Sequence, residues 1–144
     1  MKECVFRCYM HLKDYKNALP LCEDIRKTDT QKPWLHLHMC AKVKDKLGHD
    51  LLSCIKLNQE SIKLAKQYAP AWYSLGKMQA RAGRYEIAKK CFSMAARYTQ
   101  NEWGGMYDKI RVDIRQRIKE CDTAIESEQN DADKQKKSII TIDE

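Results

Sequence analysis

A chain of 144 residues is long enough for one domain, and its 43% apolar content suffices for a packed core. Five Gly, three Pro and scant period-two alternation argue against a sheet protein, and no apolar run approaches the roughly 20 residues of a membrane span. The formal net charge of +7 points to partners with acidic surfaces or tails, or to nucleic acid.

In chain order, the first pattern is Tyr9, Leu12, Tyr15, Ala18 and Cys22: the end of one helix, a turn, and the start of a second, with Asp14 as its N-cap. Met1 falls inside the first helix of this pair, so the unit reads as clipped at its beginning. A second pair opens at Pro33-Trp34-Leu35, includes Leu37, turns at Leu47-Gly48, and continues through Leu51, Leu52, Ile55, Ile62 and Ala65.

The clearest unit runs from Ala69 to about Glu102. Trp72, Leu75, Gly76 and Gln79 share one helical face, because residues three and four apart are neighbours. Gly76 lets another helix approach its backbone, and Gly83 suits a tight turn because Gly tolerates positive φ. Ala88, Phe92 and Ala95 then alternate small, large and small along the inner face of a second helix. The whole is an αα-hairpin.

This unit resembles a tetratricopeptide repeat, whose pattern of roughly 34 residues carries Trp, Leu-Gly, a turn Gly, Tyr, Ala, Phe and Ala at the offsets of Trp72, Leu75-Gly76, Gly83, Tyr85, Ala88, Phe92 and Ala95. It departs at Gln79, where the family often has Tyr. The first pair is then a degenerate copy, with Lys2 and Phe6 in place of the Trp and the small residue. Aligning Trp34 with Trp72 leaves the second copy about one helical turn longer than the family period. The extra turn fits a longer first helix, because Gly48 follows Trp34 at a greater distance than Gly83 follows Trp72, but a long second helix through Gln59 and Glu60 also accommodates it.

Beyond a helix stop and loop at Asn101-Glu102-Trp103-Gly104-Gly105, a long helix carries Tyr107, Ile110, Ile114, Ile118, Cys121 and Ile125 on one face. Lys109, Arg111, Asp113, Arg115, Arg117, Lys119 and Glu120 occupy the others. Such a helix caps the open apolar end of a repeat array, an arrangement similar to that of immunophilin co-chaperones. From about Ser127 the apolar period fades, and a charged, disordered tail is expected over 127–144; its last residues, Ser138 to Glu144, are β-prone enough to add a strand to a partner's sheet, although a floppy end is the simpler expectation. The expected fold is therefore an all-α superhelix of three hairpins (about 1–30, 31–68 and 69–102) with a capping helix (about 105–126).

The resemblance also implies a right-handed superhelix with a concave face lined by the first helix of each hairpin. By alignment, the third repeat presents Tyr73, Ser74, Lys77, Ala80 and Arg81 there. The second presents Lys32, Leu35, His36, Met39 and Lys42, and the first presents Cys4, Arg7, Met10 and His11, with Glu3 nearby. The candidate partner-binding groove is thus Arg7, His11, Lys32, His36, Met39, Lys42, Tyr73, Lys77 and Arg81. Its cations suit an acidic or amphipathic peptide of a partner protein, because charge-assisted hydrogen bonds are about twice as strong as neutral ones. The carboxylate clamp that some family members use on the acidic tails of heat-shock chaperones is absent: Cys4, His36, Pro70 and Ser74 stand where it needs Asn, Lys and Arg.

The other function classes are weaker. RNA is the second reading, since phosphate contacts need mainly Lys and Arg, but Trp34, Trp72, Tyr73 and Tyr85 read as hairpin core and groove wall rather than stacking platforms. A co-chaperone-like subunit of a larger assembly and a metal-containing enzyme are more remote. Cys4, Cys8 and His11 share a helical face, as do His36 and Cys40, yet no CxxC knuckle occurs and these positions suit packing, so no metal is expected. No Gly-rich phosphate loop, nucleophile elbow or HExxH points to catalysis, and no cofactor is implied. Seven cysteines at irregular spacing make a poor disulfide framework and read as reduced thiols. Together with the lack of a signal peptide, this places the chain in the cytoplasm, with the nucleus as the other permitted compartment.

Overall fold

The computed structural model describes residues 2–28, 31–99 and 107–142. The described residues form seven helices: α1 (Lys2–His11), α2 (Tyr15–Thr28), α3 (Pro33–Lys46), α4 (Leu51–Leu64), α5 (Ala69–Arg81), α6 (Tyr85–Tyr98) and α7 (Tyr107–Ile142). Each packs chiefly on its neighbours in the chain, so α1–α2, α3–α4 and α5–α6 are hairpins laid side by side in a row that α7 closes against α6. No strand occurs among the described residues.

The hairpin turns share one geometry, and it sets the repeat register. Lys13, Gly48 and Gly83 recur every 35 positions, and all have left-handed φ, at 58°, 80° and 80°. In each turn the next N–H reaches back five residues, as in Asp14 N to Tyr9 O, His49 N to Lys44 O and Arg84 N to Gln79 O. The left-handed residue itself bonds three back, from Lys13 N to Met10 O, Gly48 N to Asp45 O and Gly83 N to Ala80 O. This is the Schellman closure, in which a residue at positive φ satisfies the last carbonyls of a helix.

That register corrects the alignment of the second repeat. Counting back from the turns, Leu37 takes the place of Trp72, Ala41 that of Gly76, and Trp34 lies one turn nearer the start of its helix. The two tryptophans are therefore not equivalent. Trp34 is fixed instead through its carbonyl, which accepts a 2.7 Å bond from Ser61 Oγ of α4.

Within each hairpin, large and small residues interlock. A Cβ on Gly76 would lie 2.7 Å from Phe92 Cε1, so the Phe92 ring rests on the α5 backbone. At the corresponding positions, counted in the second helices from Tyr15, Leu51 and Tyr85, the second hairpin places Ala41 with Asn58, and the first reverses the sizes with Phe6 and Cys22; all four are buried. The polar member Asn58 is satisfied, with Oδ1 3.1 Å from His38 Nδ1 and Nδ2 3.3 Å from Met78 Sδ. Because Asn58 Oδ1 only accepts, His38 Nδ1 carries the proton and donates.

Two expectations meet different outcomes. Cys22 and Cys40 do not remain thiols: α2 and α3 bring their Cα atoms to 5.7 Å and the sulfurs are bonded. Side by side in the core between the first two hairpins, the pair was invisible to spacing along the chain. In addition, α7 continues as helix through 127–142, where a disordered tail was expected. Its inner face is covered through Cys121 and its side chains are exposed from Glu126 to Lys137, so that stretch is a solvated continuation made of good helix formers such as Glu, Gln, Ala and Lys. The expected loop at 101–105 lies outside the described residues.

Candidate functional site: a cationic groove on the first helices

The 35-residue register places Arg7, Lys42 and Lys77 at one position of α1, α3 and α5, with His11, Lys46 and Arg81 one turn further on. Three adjoining hollows follow this line. One of about 110 Å³ lies between Phe6, Arg7, Ile25, Leu35, His36 and Met39, with Glu3 at its rim. The next, of about 320 Å³, shares Arg7 and Met39 with the first and adds His11, Tyr15 and Lys42. A third, of about 420 Å³, shares Lys42 and adds Asp45, Lys46, Ser74, Lys77, Arg81 and Arg117. A larger hollow of about 970 Å³ straddles α6 on the outside of the array, with Ile62 of α4 to one side and Ile125 of α7 to the other. It is broader, but its one salt bridge, Lys89 to Asp122 at 2.7 Å, ties α6 to α7 and leaves no cluster of like charge there.

Of the residues expected to line the groove, Arg7, His11, His36, Met39, Lys42, Lys77 and Arg81 lie along these hollows. Lys32 does not: it is the exposed N-cap of α3, ahead of the helix that forms the wall. Tyr73 turns towards α7, where its hydroxyl donates to Asp113 and Arg117 Nε donates to the same carboxylate at 2.8 Å. Lys77 Nζ sits 4.7 Å from the centre of the Tyr73 ring and the Arg117 guanidinium 5.7 Å from it, a doubled cation–π arrangement. Asp45, Lys46 and Arg117 escaped sequence reasoning. The first two follow from the turn register, whereas Arg117 enters only because α7 folds back against α5 and α6.

The charges in the groove are unequal in freedom. Arg81 grips Asp45 with Nη1 2.8 Å from both carboxylate oxygens, and Arg117 is held by Asp113. Burial lowers the pKa of Lys77, and the positive charges of Arg117, Lys42 and Lys46 lower it further. Burial works to raise the pKa of Asp113, but hydrogen bonds from Tyr73 and Arg117 outweigh it and hold the carboxyl below its ordinary value. In all, six cations (Arg7, Lys42, Lys46, Lys77, Arg81, Arg117) face three carboxylates (Glu3, Asp45, Asp113). Such a field attracts an anion that can approach Lys77 and relieve its crowding.

The buried thiols of Cys54, Cys91 and Cys121 are pushed up by burial, Cys91 to about 11, so none is an activated nucleophile. Among the described residues no group of three His, Cys, Asp or Glu could hold a metal ion.

No protein-family model matches the chain. No curated protein matches it either. Solved structures do. The chain superposes on PcrH, solved in complex with the chaperone binding region of PopD, with a TM-score of 0.73 at 6% identity, over 85% of this chain and 89% of that one. It is similar to the Sgt2 TPR domain from Aspergillus fumigatus, with a TM-score of 0.66 at 16% identity, over 85% and 80% of the two chains. It is also similar to MamA, with a TM-score of 0.58 at 16% identity, over 87% and 77%. The fold is that of a tetratricopeptide-type superhelical array.

Proposed function

We propose that this chain is a protein-binding adaptor, without catalytic activity, that holds an acidic or amphipathic peptide segment of a partner along the α1–α3–α5 groove. The observation that carries this reading is Lys77, half-buried and crowded by Arg117, Lys42 and Lys46, a cluster that gains most when carboxylates settle on it. PcrH was crystallised in complex with the chaperone binding region of PopD, which supports a partner-holding role for this fold. The absence of the chaperone-tail clamp leaves Lys42, Lys46 and Lys77 as a different cationic arrangement. No described helix is long and apolar enough to cross a membrane.

The test is fluorescence anisotropy with a labelled peptide of ten Asp and Glu residues, against wild type and the Lys42→Glu/Lys77→Glu double variant. Neither lysine is in an ion pair among the described residues, whereas Arg81→Glu would also set two carboxylates against each other at Asp45. Affinity should fall at least about tenfold with helical circular dichroism unchanged, since two charge-assisted contacts become repulsive. Unchanged affinity would refute the groove as the binding face. A single-stranded RNA of similar length that competed with equal strength would favour a nucleic-acid partner instead.

A further inference from the structure

The three hollows are not chemically alike, and their order carries information. At the α1 end the walls are mostly apolar, from Phe6, Ile25, Leu35 and Met39, with His36, Arg7 and the opposing carboxylate of Glu3 beside them. At the α5 end the walls carry Lys42, Lys46, Lys77 and Arg117 together with the Arg81–Asp45 pair. The middle hollow joins the two through Met39 and Lys42.

We propose that the groove reads its peptide with a polarity: one aliphatic side chain seated in the Phe6–Leu35–Met39 hollow, and two or more carboxylates over Lys42, Lys46 and Lys77, separated by a short spacer. This rests on the peptide-holding reading above and specifies the ligand class for the same groove. Three features carry it. The hollow is small enough for one aliphatic side chain and mostly apolar, and the charge of Arg7 beside it is offset by Glu3. Glu3 offsets Arg7 there, whereas Lys42, Lys46, Lys77, Arg81 and Arg117 outnumber Asp45 at the other end, so an acidic stretch is drawn towards α5 rather than spread along the whole face. Finally, the middle hollow, which shares Arg7 and Met39 with the first and Lys42 with the third, joins the two ends, so a short spacer lies between the anchor and the acidic stretch. An acidic peptide lacking the aliphatic anchor would meet only half of the groove.

The probes are labelled peptides with one Leu, a spacer of three Ser or Gly residues and three Glu. They are made in that order and reversed, with a Leu→Ser version of each and a version that embeds the Leu among the Glu residues. In the better order, Leu→Ser should weaken binding to wild type about tenfold, the scale of burying one aliphatic side chain. The embedded version should bind as weakly as the Ser version. Met39→Gln should abolish the Leu advantage, leaving the Leu and Ser peptides equal in affinity. Leu35→Ala serves as the second variant at the same hollow, with urea unfolding confirming that both are folded. If acidic peptides bind but Leu and Ser probes are equivalent in both orders, or Met39→Gln and Leu35→Ala weaken both alike, the polarity is wrong and the adaptor reading stands. If no acidic peptide binds wild type at all, both fall together.

Discussion

Acidification offers a direct test of how the second and third hairpins are joined. His38 is 4% exposed, donates from Nδ1 to Asn58 and meets Tyr68 edge-on with ring centroids 5.5 Å apart, and Asn58 in turn reaches Met78 of α5. Burial lowers its pKa from 6.5 to about 4; the Asn58 hydrogen bond acts the other way, and Lys42 and Lys77 add to the lowering. Below pH 6.5 the unfolded chain binds a proton that the folded one refuses, so stability contributed by the neutral ring is complete above pH 6.5. It is lost as pH falls towards about 4. With each pKa unit worth about 1.4 kcal/mol, the loss is about 3 kcal/mol, a large share of a domain's usual margin. The assay is urea unfolding by circular dichroism at half-unit steps from pH 7.5 to 4, for wild type and His38→Gln. The variant carries its own fixed penalty, but its pH slope should be shallower across the window, because His11, His36, His49 and the carboxylates are common to both. Parallel slopes would refute the placement of a neutral, buried His38 between the hairpins.

The close approach at Gly76 predicts that Gly76→Ala destabilises the fold by about 1–3 kcal/mol, because the methyl would overlap a Phe92 ring that is 1% exposed and has little room to yield. A rise in Tm, the usual result of Gly→Ala inside a helix, would contradict that contact. At Lys13, the non-glycine with left-handed φ, Lys13→Gly should stabilise by about 1 kcal/mol, and Gly83→Ala should destabilise by a similar amount although its Cβ would meet nothing within 4 Å. Differential scanning calorimetry reads both. Reduction of the Cys22–Cys40 bond, which spans 18 residues of sequence, should cost about 3 kcal/mol in urea unfolding. Alkylation of denatured, unreduced protein should label five cysteines; labelling of all seven would remove the bond.

The hairpins were legible because their signals are local. Apolar residues three and four apart mark a helical face, and a glycine after the last turn marks its end, so α5 and α6 could be read from Trp72, Gly76, Gly83, Ala88 and Phe92 alone. The second repeat was misaligned for a physical reason. Trp34 is the more conspicuous residue, but its position follows from what its own neighbourhood holds, whereas a left-handed residue is demanded by the backbone at a single place in each turn. Read from Gly48 rather than from Trp34, the register would have delivered Asp45 and Lys46 to the groove and left Lys32 out.

What this sequence determined by itself is a row of helical pairs with one basic face, since periodicity, turn chemistry and charge act between residues a few positions apart. Only the tertiary structure decided that Arg117 and Asp113 of α7 close one end of the groove around Tyr73 and that Arg81 is partnered by Asp45. Packing likewise decided that Cys22 and Cys40 meet and that His38 is stripped of water. Each of these pairings joins different helices, and which side chains come together there depends on how large and small residues interlock, as Phe92 does over Gly76. That interlock belongs to the packed assembly rather than to any one stretch of chain.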